Sequence, residues 1–123
     1  MTMTSMRHDA GAGETSALRA AACLFHGFSD PSRLAILQHL LLGEHRVVEL
    51  TEHLGLAQST VSQHCACLRD CGLVTSRSQG RATVYALAHA QALLDLLGAA
   101  ERLLGLTGDA VALCPTYGHG TRP

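Results

Sequence analysis

Lysine and tryptophan are absent from this 123-residue chain, and aromatic residues make up only 3% of it. A core must therefore be assembled from Leu, Ala and Val, which a 47% hydrophobic content supplies easily. The nine basic residues are all Arg and face ten acidic ones, for a formal net charge of -1. No global basic excess marks a nucleic-acid binder, so the distribution of charge has to decide. No apolar run approaches the ~20 residues of a membrane span. The segment before Thr15 is polar and Gly-rich and lacks the apolar stretch of a secretory signal. These absences exclude a membrane partner and point to a cytoplasmic location. The five cysteines (Cys23, Cys65, Cys67, Cys71 and Cys114) are odd in number and three of them fall within seven residues, which fits a disulfide framework poorly. In a reducing compartment, clustered thiols more often bind metal or sense oxidants.

What is present is mostly helical pattern. The length corresponds to one domain, and pairing with a second copy would add core to so short a chain. Residues 1–14 are small, polar and Gly-containing and are expected to be disordered. A first helix is expected over 15–27, with Leu18, Ala21, Ala22 and Phe25 along one stripe. Asp30 and Pro31 form a cap and first turn for a second helix, whose buried face is read as Leu34, Leu37, Leu40 and Leu41, with Gly43 ending it. A third helix covers 47–54, with Val47, Leu50 and Leu54 inward. A fourth covers 58–71, capped near Gln58 or Ser59, with Val61, Cys65 and Leu68 inward and Gly72 as its stop. The period then changes: Leu73, Val74, Val84, Tyr85 and Leu87 form two short strands around a Gln79-Gly80 turn. Residues 89–105 return to helix and are apolar over more than one face, as expected of a helix buried against a partner. The architecture is therefore mainly α with a small β-hairpin, a dimeric winged helix-turn-helix. Its domain spans 15–106, and 107–123 form a flexible C-terminal tail.

The helix pair within 47–71 has the pattern that places a second helix in the major groove of DNA. The start of that helix carries Gln58, Ser59, Thr60, Ser62, Gln63 and His64, whose side chains reach phosphates or base edges. The hairpin adds Arg77 and Arg81, suited to phosphates or a minor groove. From Gln58 to Arg81 the charges are Arg69, Arg77 and Arg81 against Asp70 alone, so this window is positive within a slightly negative chain. The run from Ser59-Thr60-Val61-Ser62-Gln63-His64 through Leu68-Arg69, Gly72-Leu73-Val74, Gly80-Arg81 and Tyr85, with the earlier Phe28–Leu41 segment, resembles the ArsR-SmtB family of metal-responsive repressors over roughly residues 18–105. The resemblance implies a winged-helix homodimer that binds operator DNA and releases it on binding an inducer. It places Ser59 to His64 on the recognition helix and Arg77 and Arg81 in the wing. The first and last helices would pair the protomers.

Cys67 and Cys71 are four apart on one helix and share a face. Two thiolates grip a soft ion without closing a site, so a third ligand must come from elsewhere. Cys114, beyond the last helix, can fold over either subunit. Three thiolates favour Cd(II) or Pb(II); thiolate ligation does not suit magnesium or calcium. Within the family, many arsenic, cadmium and lead sensors carry a Cys-x-Cys pair in the third helix, which here reads Arg46-Val47-Val48-Glu49-Leu50. The Asp and His spacing of zinc, nickel and cobalt sensors is not reproduced by His89, Asp95 and Glu101. The resemblance is instead to a cadmium- and lead-sensing branch, and implies Cys67, Cys71 and a Cys114 donated by the other protomer. Cys65 fills a core position, and Cys23 is read as packed or redox-sensitive. His26, His39, His53 and His119 receive no role.

The leading expectation is a repressor released from its operator by Cd(II) or Pb(II), with no organic cofactor. Arsenite, As(III), or thiol oxidation acting through the same cysteines is an alternative inducer, and a structural Zn(II) site is another. A cysteine-dependent enzyme is disfavoured, because no base is arranged near a thiol beyond His64, three residues before Cys67.

Overall fold

The structure, a computed structural model, describes residues 11–114. The expectations for 1–10 and 115–123, His119 included, lie outside the described residues. The elements are α1 (Gly11–Gly27), α2 (Pro31–Leu40), β1 (His45–Arg46), α3 (Val47–Leu54), α4 (Gln58–Asp70), β2 (Val74–Gln79), β3 (Ala82–Leu87) and α5 (Ala90–Leu106). Helices α3 and α4 form the helix-turn-helix, and β2 and β3 form the wing. No helix among the described residues is long and apolar enough to cross a membrane.

Helix α1 begins at Gly11, four residues before its expected start, with Glu14 in its first turn. A carboxylate there complements the unpaired N–H groups of a helix start, and the small residues before it do not break the helix. The stripe expected to be buried in a dimer lies open in the single chain: Leu18 is 65% exposed and Phe25 59%. Helix α2 is capped as expected. Asp30 Oδ2 accepts from the Ser32 and Arg33 amides at 2.8 and 3.1 Å, and Pro31 opens the helix.

The buried face of α2 is Arg33, Ile36, Leu37 and Leu40. Leu34 and Leu41, expected inside, are only half-buried. Arg33 explains the rotation. Its Nε donates to the Gly27 carbonyl at 3.2 Å and its Nη2 to the His26 carbonyl at 2.8 Å. A cation at the end of α1 satisfies carbonyls that have no intrahelical partner, and apolar periodicity does not report such a role.

Helix α3 ends at Gly55, whose φ of 68° is the left-handed cap conformation. Helix α4 starts at Gln58, and its N-cap residue Ala57 makes no side-chain cap bond. Gln58 and Ser59, expected near the cap, are the first two residues of the helix, and both are exposed. The inner stripe is the expected one, with Val61, Cys65 and Leu68 all fully buried. The helix closes in a Schellman arrangement: Leu73 N–H donates to Leu68 O and Gly72 N–H to Arg69 O, both at 2.9 Å, with Gly72 at φ 80°.

The sheet has the order β1-β3-β2. Strand β1 was not expected; its two residues are too few for any periodicity, and pairing with β3 (His45 with Tyr85, Arg46 with Val84) defines it. The hairpin register pairs Gln79 with Ala82. The turn is thus Gly80-Arg81, one residue later than the expected Gln79-Gly80, and it puts Arg81 at the tip.

The segment after α5, expected to be flexible from residue 107, is anchored at its described end. Glu101 Oε2 accepts from the Leu113 and Cys114 amides at 2.5 and 2.8 Å, and Gln38 Nε2 donates to the Leu113 carbonyl at 2.6 Å.

Three imidazoles from α2, β1 and α3 meet beside the sheet. His39 stacks on His53 with centroids 5.0 Å apart, and His45 stands edge-on to both at 6.1 and 5.7 Å. Burial, and then the His53 and His45 rings, lower the His39 pKa from 6.5. The unfolded chain therefore binds this proton at a higher pH than the folded chain. Stability is lost as pH falls below about 6.5 and through the lowered folded value. Between about pH 7.5 and about pH 5, the decline in Tm is expected to be shallower for His39→Gln than for the parent protein. Parallel declines by circular dichroism would remove His39 from the acid response.

Candidate nucleic-acid interface and thiol site

The turn at Gly55 projects the start of α4 outward, and the wing curls beside it. Gln58, Ser59 and Gln63 are exposed on the outer row of α4, while Thr60 and Ser62 are half-buried at its margin. A cleft of about 350 Å³ runs between helix and wing, lined by Gln58, Ser62, Arg81, Thr83, Arg46 and Val48. Its rim carries two guanidinium groups and short polar side chains, which suits phosphate oxygens at the edge of a groove. Arg69 Nη1 donates to Ser76 Oγ at 3.3 Å and ties α4 to the base of the wing.

Not every expected residue faces this cleft. Arg77 is exposed but is held by Glu44 in an ion pair of 2.6 Å. His64 turns inward, its side chain only 18% exposed. Its Nε2 lies 3.6 Å from Asp30 Oδ2 and its Nδ1 3.4 Å from Arg33 Nη1. The reason is helical geometry: His64 is three residues after Val61 and adjoins the buried stripe. The hydrogen bonds donated by the Arg33 amide and then the Ser32 amide, with a smaller contribution from His64, hold the Asp30 carboxyl below its usual pKa. Arg46 was missed by sequence reasoning. Its placement at the cleft comes from β1 pairing with β3, for which a two-residue strand leaves no pattern.

The cysteines divide into three environments. Cys65 is fully buried, and desolvation pushes its thiol up to about 11, which suits its expected core role. Cys67 and Cys71 are half-buried at the end of α4. Cys71 Sγ lies 3.0 Å from Cys23 Sγ and donates to the Cys23 carbonyl at 3.1 Å. Burial, then the Cys23 thiol and then Cys67, push the Cys71 thiol up to about 12. Gly27 permits this approach of α1 to α4: a Cβ there would stand 3.0 Å from Leu73 Cδ1 and 3.8 Å from Cys71 Sγ.

Cys114 is not brought to this pair within the chain. It rests against α5, with Sγ 4.0 Å from the Leu94 carbonyl, and its thiol is pushed up by burial and then by Glu101. Among the described residues, no three His, Cys, Asp or Glu side chains are arranged to hold a metal ion. The thiols of Cys67 and Cys71 are soft donors, and among the described residues no third donor forms a ligand set with them. Sequence reasoning missed the pairing of Cys71 with Cys23, which are 48 residues apart.

Residues 30–76 match the family described as bacterial regulatory protein, arsR family. Over 93 residues the chain is 37% identical to a probable mercury resistance operon repressor of Streptomyces lividans, covering 76% of this chain and 74% of that protein. It is 48% identical over 69 residues to the HTH-type transcriptional regulator CmtR of Mycobacterium tuberculosis, covering 56% of this chain and 58% of that one. It also resembles the solution structure of a homodimeric winged helix-turn-helix DNA-binding domain from Mycobacterium bovis, a possible ArsR-family regulator. That match has a TM-score of 0.65 and 27% identity over 75% of this chain and 89% of that one. The names of all three describe transcriptional repressors or regulators, one as probable and one as possible. With its winged helix-turn-helix and these relatives, the chain belongs to the arsR family of bacterial regulatory proteins.

Proposed function

We propose that the protein is a homodimeric repressor that leaves its operator when Cd(II) or Pb(II) binds Cys67, Cys71 and the Cys114 of a second copy. The observation that carries this reading is the position of two thiols one helical turn apart at the end of the DNA-reading helix. Gln58, Ser59, Thr60, Ser62 and Gln63 meet DNA at one end of α4, and the thiols hold the cation at the other. Any strain that ligation puts on α4 is then delivered to the DNA contacts directly. The inducer shifts the equilibrium only by the difference in its affinity for the free and DNA-bound forms. Arg81 contacts phosphates, and Arg46 and Arg77 join it by exchanging their Glu49 and Glu44 partners. His64 acts by fixing α4 to the cap of α2. The mercury-resistance relative supports a thiophilic inducer.

A dimer supplies what one chain lacks. Leu103 and Leu106 are 63% and 85% exposed on α5, and open apolar clefts of about 260 and 240 Å³ lie between α1 and α5. Exposed apolar surface of this kind marks an association site. The same ligand set accommodates As(III), which also takes three sulfurs. A structural Zn(II) would instead unfold the protein on chelation.

Titrating the reduced protein with Cd(II) is expected to produce a thiolate-to-metal ultraviolet band and to release labelled operator DNA in fluorescence anisotropy. Both are expected to be lost in Cys67→Ser/Cys71→Ser. Cys114→Ser is expected to weaken both. An unchanged band in the double variant overturns the ligand assignment, and release by arsenite alone moves the inducer to As(III).

A further inference from the structure

Cys23 has no part in the cation site just described, yet it touches Cys71, which does. The two sulfurs are 3.0 Å apart, belong to different helices and are 48 residues apart in sequence. Both are free thiols, Cys23 exposed and Cys71 half-buried. A disulfide bond is about 2.0 Å long, so the pair has only about 1 Å left to close. Cys23 is also off the stripe proposed to pair the protomers. At 3.6 residues per turn, its five-residue offset from Leu18 and two-residue offset from Phe25 put it on another flank of α1.

We propose that Cys23 and Cys71 form a modification site at which a hydroperoxide closes an intramolecular disulfide. The exposed Cys23 is the sulfur the peroxide reaches. Its thiol gives up a proton and the thiolate attacks the terminal peroxide oxygen. The O–O bond breaks and the released proton leaves with the departing oxygen as water or an alcohol. Cys23 is then a sulfenic acid. The Cys71 sulfur attacks it, the S–O bond breaks, and the hydroxyl leaves as water with the proton of the Cys71 thiol. Two thiols have given two electrons to one peroxide.

The bond fastens α1 to the C-terminal cap of the DNA-reading helix. It also takes Cys71 away from any cation, so oxidation and cation binding compete for one sulfur. That competition rests on the proposed cation site; the disulfide itself does not.

The test uses the full reduced chain treated with hydrogen peroxide, then thiol blocking and cleavage after Arg. Such cleavage separates Cys71, between Arg69 and Arg77, from Cys67 and from Cys23, between Arg19 and Arg33. The expected result is a chain that runs singly on a non-reducing denaturing gel, has lost two free thiols and yields one cross-linked peptide pair containing Cys23 and Cys71. The pair is expected to persist in Cys67→Ser/Cys114→Ser and to vanish in Cys23→Ser. Oxidation of Cys71 to another partner, or to sulfinic acid without cross-linking, overturns the proposal. A parallel sample loaded with Cd(II) is expected to cross-link more slowly. Equal rates with Cd(II) bound overturn the sharing of Cys71 while leaving the disulfide standing.

Discussion

The double variant Phe25→Glu/Leu103→Glu is expected to sediment as a monomer and to bind operator DNA at least about 100-fold more weakly than the parent protein. Both side chains lie mostly in water in the single chain. Their replacement therefore removes little from the folded core, and the helical circular dichroism should be retained. Across a two-fold interface each carboxylate is introduced twice, so desolvation and like-charge repulsion are doubled. Burial of one large apolar side chain is worth about 1.5–3 kcal/mol, and both contributions are lost on both subunits. The effect on DNA follows from linkage. Two joined recognition helices gain about 10²–10⁴-fold over one through effective concentration. Retention of the dimer in analytical ultracentrifugation would exclude α1 and α5 as the pairing surface.

Leu68→Ala is expected to lower stability by about 2–5 kcal/mol, the usual range for a large-to-small change in a packed core. Leu68 has no exposed surface, and its carbonyl accepts the closing bond of the α4 terminus. It also packs toward Gly27, where α1 meets the thiols. A domain of this size has about 5–15 kcal/mol in total, so the variant should melt at least about 10 °C lower. Arg81→Ala, at the exposed wing tip, is expected to leave Tm unchanged while weakening DNA binding. A Leu68→Ala protein with parental Tm would mean that α4 is held by something other than its inner stripe.

Local chemistry made most of this fold legible in advance. Asp30-Pro31 starts α2, Gly72 stops α4, and the stripe Val61, Cys65 and Leu68 faces inward, because capping and helical period act over a few residues. The outer row of α4 was legible for the same reason. The start of α1, the wing turn and the inner face of α2 were each displaced. In the last case Arg33 entered the core to satisfy carbonyls of another helix. Strand β1 and the place of Arg46 left no trace, since a two-residue strand exists only through its partner.

Helix α4 carries its polar row and its two thiols by sequence alone, because residues three and four apart share a face whatever surrounds them. Tertiary structure decided how those side chains are used. It turned His64 onto Asp30, gave Arg77 to Glu44, held Cys114 against α5, and set Cys71 against Cys23. Each of these contacts joins separate elements, and helical spacing carries no information about which distant residue will fill the space beside a given face.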